Sequence, residues 1–247
     1  MSSRRFYCPD IPPVGSMVQL NAMESAHALK VLRLKAQDPL TLLDGKGTLA
    51  EAVLAVSDER QRQERHALCR VVSIRRLPRP APSIHLLVAP PRGKNMDTVL
   101  KTATELGVET LTPILCKYAV SKPDADGKET WEQALIAACK QSGNPWLPVI
   151  QSTCPFHDAL DTAPKRGFFG AVPQLGSSLA ETPPPFGDEP LALWIGPEGG
   201  FSQEEEQLLL AQHVTPISIG PWILRVETAV PALLGAIHSL AKRSNAL

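Results

Sequence analysis

Two stretches near the end of the chain combine glycine turns with charged side chains. The first, Leu193-Trp194-Ile195-Gly196-Pro197-Glu198-Gly199-Gly200-Phe201-Ser202, runs from an apolar strand through a glycine-rich loop into a helix. Glycines let the backbone approach a ligand with no Cβ in between. Ser202 and Glu205 have capping-box spacing, and Glu204, Glu205 and Glu206 crowd the positive end of that helix. Three carboxylates there would repel a phosphate, and the spacing is neither a dinucleotide nor a P-loop fingerprint. The loop suits a neutral or cationic ligand with an adenosine part; without a ligand it is a tight strand-to-helix turn. The second stretch, Ile217-Ser218-Ile219-Gly220-Pro221, is again a strand with a glycine turn, followed by Trp222-Ile223-Leu224-Arg225-Val226-Glu227-Thr228-Ala229. A helix is expected over 227–243, with Pro231 within its first turn or so, where a missing amide hydrogen breaks no helical bond. Arg225, Glu227 and Thr228 cluster at its start, to serve a ligand or, on a purely structural reading, as a salt bridge and an N-cap. Ligands of parallel α/β sheets bind at the carboxyl ends of strands, which is where both turns fall.

The elements that carry these turns follow from patterning. Over residues 1–75, strands at 14–20, 40–43, 51–56 and 66–74, a helical pattern at 24–32 and the hairpin turn Asp44-Gly45-Lys46-Gly47 read as a small β-barrel. A charged stretch lies at 58–65. Residues 76–82, with Pro78, Pro80 and Pro82, read as a linker, since such prolines continue neither a ladder nor a helix. From 83 to 247 strands (84–89, 110–115, 168–172, 191–195) alternate with helices (95–106, 129–142), and prolines 183–185 sit in a loop. That alternation predicts an α/β domain with a mainly parallel sheet and helices on both faces.

Composition bounds the class. The 247 residues are 43% hydrophobic and 20% charged, which excludes a disordered, collagen-like or coiled-coil chain. No apolar run is long enough to span a membrane and no signal-like segment precedes Cys8, so a cytoplasmic protein is expected. Five cysteines without paired spacing predict reduced thiols, and the single pair Cys154 and His157 lacks the second half of a zinc site, so no metal is expected. The 25 basic and 25 acidic residues cancel, but unevenly. Residues 1–80 hold 13 Lys and Arg against 8 Asp and Glu, and residues 81–247 hold 12 against 17. A basic segment joined to an acidic one is not neutral toward a polyanion.

The stretches Ile195 to Ser202 and Gly220 to Ala229 resemble the signature of the RsmE family, 16S ribosomal RNA uridine-N3 methyltransferases of the SPOUT superfamily. Further matches are His27-Ala28-Leu29-Lys30-Val31-Leu32-Arg33-Leu34 with Leu43-Asp44-Gly45, then Lys94-Asn95-Met96-Asp97, Thr104 to Val108, and Ala137 to Gly143, in the family's order over nearly the whole chain. The resemblance implies a SPOUT trefoil-knot domain with S-adenosylmethionine in the knot, a PUA-like RNA-binding barrel before it, and a homodimer acting on the 30S subunit. Carried over, Ile195, Gly196, Pro197, Glu198, Gly199, Gly200, Ile219, Gly220, Leu224, Thr228 and Ala229 would hold the cofactor. Arg225 would stabilise charge on the uracil carbonyls, with Glu227 or Glu198 orienting it or accepting the N3 proton. Arg4, Arg5, Lys30, Arg33 and Lys35 would contact RNA phosphates, and Trp222 would stack on a base. The chain departs from the pattern at Trp222 and Asn144, where the family usually has arginine, and at Cys116-Lys117-Tyr118, which replaces a Ser-Glu-Arg-like segment. Two other readings stay open, a non-catalytic RNA-binding or ribosome-assembly protein and a methyltransferase acting on a different RNA.

Overall fold

The computed structural model describes residues 4–55, 66–93, 95–119, 127–172, 177–178 and 188–244. The stretch 58–65, Lys94 and prolines 183–185 lie outside the described residues. By its contacts the chain divides into two units, Met1–Arg79 with Ile136–Leu147, and Pro80–Leu135 with Pro148–Leu247. No helix among the described residues is long and apolar enough to cross a membrane. No group of three His, Cys, Asp or Glu among them is placed to hold a metal, and all five cysteines are free thiols.

The first unit is a five-stranded sheet in the order β1-β3-β4-β5-β2, with β1 Arg5–Tyr7, β2 Met17–Gln19, β3 Pro39–Leu43, β4 Thr48–Leu54 and β5 Leu68–Arg76. β1 runs parallel to β3 and the other pairings are antiparallel. The β3–β4 hairpin is held by Asp44, whose Oδ1 accepts the amides of Lys46 (2.7 Å) and Thr48 (2.9 Å). The helical pattern at 24–32 resolves into α1 (Ala22–Ala26), capped by the Asn21 side chain, and a π-helical turn, His27–Val31. The Leu32 amide there reaches the His27 carbonyl five residues back, at 2.9 Å. Phe6, Leu20, Leu42, Leu54, Cys69 and Val71 form the core beneath the sheet.

Two sequence expectations need correction here. β5 continues through Arg76, so the first residue of the expected 76–82 linker is ladder. Residues 136–147, expected in the second domain, group with the first unit. The cause is a set of long-range contacts made by the end of α3 (Gly127–Ser142) and the turn after it. The Arg5 guanidinium donates to the carbonyls of Lys140 (3.0 Å) and Gln141 (2.8 Å), filling acceptors that a helix C-terminus leaves empty. Arg5, expected on RNA, is thus committed to the fold. Lys140 Nζ donates to both carboxylate oxygens of Glu24 at 2.7 and 2.8 Å. Cys139 and Leu147 pack on Leu43 and Leu49, and a side chain at Gly47 would run into the Trp146 ring. Asn144 Oδ1 accepts the Trp146 amide (2.9 Å), so at this position the side chain builds a turn.

The second unit is a wholly parallel sheet in the order β11-β13-β10-β12-β6-β7-β8, with β9 also paired to β7. Its strands are β6 Ile84–Val88, β7 Thr110–Leu115, β8 Val149–Ile150, β9 Cys154–Pro155, β10 Gly167–Gly170, β11 Ser177–Ser178, β12 Leu191–Ile195 and β13 Thr215–Ser218. Its helices are α2 Asn95–Glu105, the start of α3, α4 Phe156–Thr162, α5 Gln203–Ala211 and α6 Val226–Ser244. Continuous apolar runs such as Leu191–Ile195 are buried on both faces. Trp194 faces α4 and α5 through Phe156 and Leu209, and Ile195 on the alternate face shares a cavity with Leu233 of α6. α4 and the two-residue strands carry no periodicity of their own and were not expected. Pro231 stands in the second turn of α6, not the first, so the Glu227 carbonyl lacks an amide four residues on.

Breaking the Glu24–Lys140 pair tests the reassignment of 136–147. Their side chains are 3% and 16% exposed, so Lys140→Met leaves a buried carboxylate without its counter-charge. The expected cost is about 3 kcal/mol in urea unfolding, and adding Glu24→Leu is expected to restore most of it.

Candidate active site

β12, β10 and β13 lie side by side and end at one edge of the sheet. The loops that leave them border a small cleft of about 150 Å³ that opens to solvent. Ile195, Gly196, Pro197, Glu198, Gly199 and Gly200 line it from β12, and Ile219, Leu224 and Ala229 from the segment after β13. Gly220 and Thr228, also expected there, do not. Sequence reasoning missed Gly170 at the end of β10, Ala171 and Val172 after it, Ile217 and Ser218 of β13, Ile223, and Val226 and Leu233 of α6. The last two were legible, because 226, 229 and 233 share one helix face. The residues after β10 were not, because only the strand order brings them beside β12.

A buried carboxylate holds the glycine loop. Glu205, 5% exposed, accepts the Ser202 amide at Oε2 (2.7 Å) and the Lys117 amide at Oε1 (2.8 Å). Its own amide donates to Ser202 Oγ at 3.3 Å, completing the capping box expected from the spacing. Burial, and the Glu205 charge nearby, push the Cys116 thiol up to about 12. Phe201 anchors the loop between Phe156 (5.9 Å) and Phe169 (6.1 Å). Gly200, at φ +74°, takes a left-handed turn, and Glu198 Oε1 accepts the Arg92 amide at 3.2 Å. A Cβ on Gly199 would lie 3.2 Å from Tyr118 Cβ, so the turn after β7 abuts the loop.

Arg225 and Glu227 flank the cavity without lining it. The Arg225 carbonyl accepts the amides of Thr228 (2.9 Å) and Ala229 (2.8 Å), closing the first turn of α6, and its side chain is exposed. Glu227 Oε1 accepts Asn95 Nδ2 at 3.0 Å, from the first turn of α2. No ion pair joins Arg225 to Glu227 among the described residues. Nothing local in the sequence marks Asn95 for this role, since only the packing of α2 on α6 brings it to Glu227. Trp222 lines the cavity and is 77% exposed.

The cations expected on RNA belong to the first unit. Arg4 lies 3.8 Å from Asp38, and Arg5 caps α3. Lys30, Arg33 and Lys35 stay exposed along one stretch after α1, with the Lys35 amide bonded to Asp38 (2.9 Å) and Arg33 in a left-handed conformation, φ +52°.

The model of a family described as an RNA methyltransferase domain matches residues 78–238. The chain is 28% identical over 234 residues to the ribosomal RNA small subunit methyltransferase E of Synechocystis, covering 92% of this chain and 74% of that protein. With the Aquifex aeolicus protein of the same name it shares 29% over 231 residues, covering 90% and 94%. A crystal structure of the Neisseria gonorrhoeae ribosomal RNA small subunit methyltransferase E bound to S-adenosyl methionine superposes with a TM-score of 0.85 at 28% identity, over 96% of this chain and 98% of that one.

Glu205→Gln tests the loop anchor. The amide keeps one acceptor oxygen and turns an NH2 group toward the other N–H, so about 2 kcal/mol of unfolding free energy is expected to be lost.

Proposed function

The chain belongs to the RNA methyltransferase family, and on that premise we propose that it transfers the methyl group of S-adenosylmethionine to N3 of a uridine in 16S ribosomal RNA of the small subunit. The observation that carries this reading is the chemistry of the cavity lining. Among the described residues its single charge is the carboxylate of Glu198, and the rest is glycine backbone and apolar side chain. Such a lining favours a cationic adenosine compound and disfavours a nucleotide polyphosphate. Ile195, Ile219, Leu224 and Ala229 would enclose the adenosine, and the backbone of 196–200 would border the amino-acid end. When bound, S-adenosylmethionine supplies an electrophilic methyl group on a sulfonium.

The chain's own residues supply the remainder. Losing the N3 proton leaves negative charge on the two flanking carbonyl oxygens of the base. The Arg225 guanidinium, unpaired among the described carboxylates, is free to meet that charge. Glu227 has one oxygen bonded to Asn95; its other oxygen has no described donor and is suited to accept the proton. Holding donor and acceptor in line supplies much of the rate.

The finer architecture is part of the same proposal. The strand order β13-β10-β12-β6 interleaves late and early strands, which supports a SPOUT trefoil knot formed by the loops after β10, β12 and β13. The first unit, with its exposed Lys30, Arg33 and Lys35, acts as a PUA-like RNA-binding module. Two copies form the working homodimer, in the cytoplasm with the ribosome.

Labelled methyl donor offered with 30S subunits, naked 16S RNA and transfer RNA, followed by mapping, tests the assignment. N3-methyluridine in the small-subunit RNA is expected; label only in transfer RNA overturns the substrate, and no label overturns the enzyme. Arg225→Ala is expected to slow turnover about a hundredfold or more while cofactor affinity stays within a factor of about two. Normal turnover in that variant removes Arg225 from the mechanism.

A further inference from the structure

Two aromatic side chains project into solvent on loops that meet the glycine turn. Trp222 is 77% exposed and Tyr118 is 48% exposed. Tyr118 follows β7, and its turn is tied down by the Lys117 amide on Glu205; its Cβ abuts Gly199. Trp222 follows β13 and lines the same cavity as Gly199. In the sheet, β13 and β7 lie two strands away from β12 on opposite sides. The two rings therefore reach the β12 loop from either flank, and that loop has no side chain at 199 or 200 to fill the space between them. Each aromatic has an exposed cation close in sequence, Lys117 beside Tyr118 and Arg225 after Trp222. Stacking faces paired with cations are how proteins hold unpaired nucleic acid.

We infer that Trp222 and Tyr118 are two stacking platforms for unpaired nucleotides of the RNA substrate, Trp222 for the base that receives the methyl group and Tyr118 for a neighbouring nucleotide. The inference rests on the RNA methyltransferase reading and adds how the strand is gripped. A duplex cannot use either face, since its bases are already stacked. Both positions depart from the arginine-bearing pattern of the resembling family, so this chain replaces part of a charge-based grip with an aromatic one.

The test uses the full chain saturated with S-adenosylhomocysteine and, as probe, a short uridine-rich RNA offered single-stranded or in a duplex. Trp222→Leu and Tyr118→Leu are each expected to weaken single-strand binding about tenfold or more, and Trp222→Phe and Tyr118→Phe to keep it within about threefold. The salt dependence of binding stays unchanged in all four, because no phosphate contact is removed. S-adenosylmethionine affinity, measured separately, stays near wild type in the Tyr118 variants, whose ring does not line the cavity. Leucine variants that bind like wild type, or phenylalanine variants as weak as leucine ones, overturn the platforms. So does a fall in oligomer mass for Trp222→Leu, which assigns the indole to a subunit contact. If the wild-type protein methylates no RNA, the underlying reading fails. If it does, and the leucine variants keep the RNA KM, the platforms alone fail.

Discussion

One buried carboxylate organises the active edge of the second unit. Glu205 receives amides from Ser202, at the end of the glycine loop, and Lys117, at the start of the turn after β7. Burying a carboxylate costs several kcal/mol unless hydrogen bonds and a favourable field offset it. Here two charge-assisted bonds and the positive end of α5 do so. The side-chain length matters: one carboxylate spans an amide three residues back and another 88 residues away in sequence. The shape of the loop, the position of Tyr118 and the wall of the cavity follow from that bridge. Glu204 and Glu206 serve the same helix end without reaching the loop, so three like charges in a row have unequal roles.

The first unit uses its charge differently. Much of its basic excess is structural. Arg5 fills the carbonyls that end α3, Lys140 neutralises Glu24, and Arg4 sits near Asp38. Among the described residues Lys30, Arg33 and Lys35 after α1 and Arg70, Arg75 and Arg76 along β5 are exposed, as are Arg4 and Lys46 beside their acidic neighbours. Counting cations in the sequence therefore overstated the charge available to a partner and misplaced part of it. The same committed cations explain why residues 136–147 leave the second unit. A helix C-terminus with unfilled carbonyls and a lysine in its last turn meets an arginine and a buried glutamate, and the exchange satisfies all four groups.

Legibility in the sequence followed the range of the interaction. The apolar runs 110–115 and 191–195, the hairpin turn at Asp44 and the capping box at Ser202 are local, and each element lies where its pattern put it. Positions 195–200 likewise line the cavity as expected from a glycine loop after a strand. Thr228 falls outside the lining because it lies on a different face of α6 from Val226, Ala229 and Leu233, and Gly220 lies in the turn after β13. The π-helical turn at His27–Val31 and the partnership of Asn95 with Glu227 had no local signature. One depends on how five residues pack over Phe6 and its core, the other on two helices 132 residues apart in sequence. The part Arg5 plays in the fold was equally illegible, because a basic residue near the start of a chain gives no sign of a helix end 135 residues later.

The arrangement of charge at the cavity bears on why a cation and an anion can be brought together there. Glu198 is the single charged residue of the described lining, and Arg225 stands outside it. Under the proposed function, a sulfonium ligand inside the cavity would meet a carboxylate, and a uracil that had lost its N3 proton would meet a guanidinium. Had the two residues been exchanged, each reacting partner would face a like charge. A salt bridge between Arg225 and Glu227 would also have weakened the field at the base, since a paired guanidinium offers less unbalanced charge. Asn95 occupies one oxygen of Glu227 with a neutral donor, and among the described residues no ion pair joins Glu227 to Arg225. In the proposed reaction methyl transfer would extinguish both reacting charges at once, so an edge that stabilises them separately would release a neutral modified base.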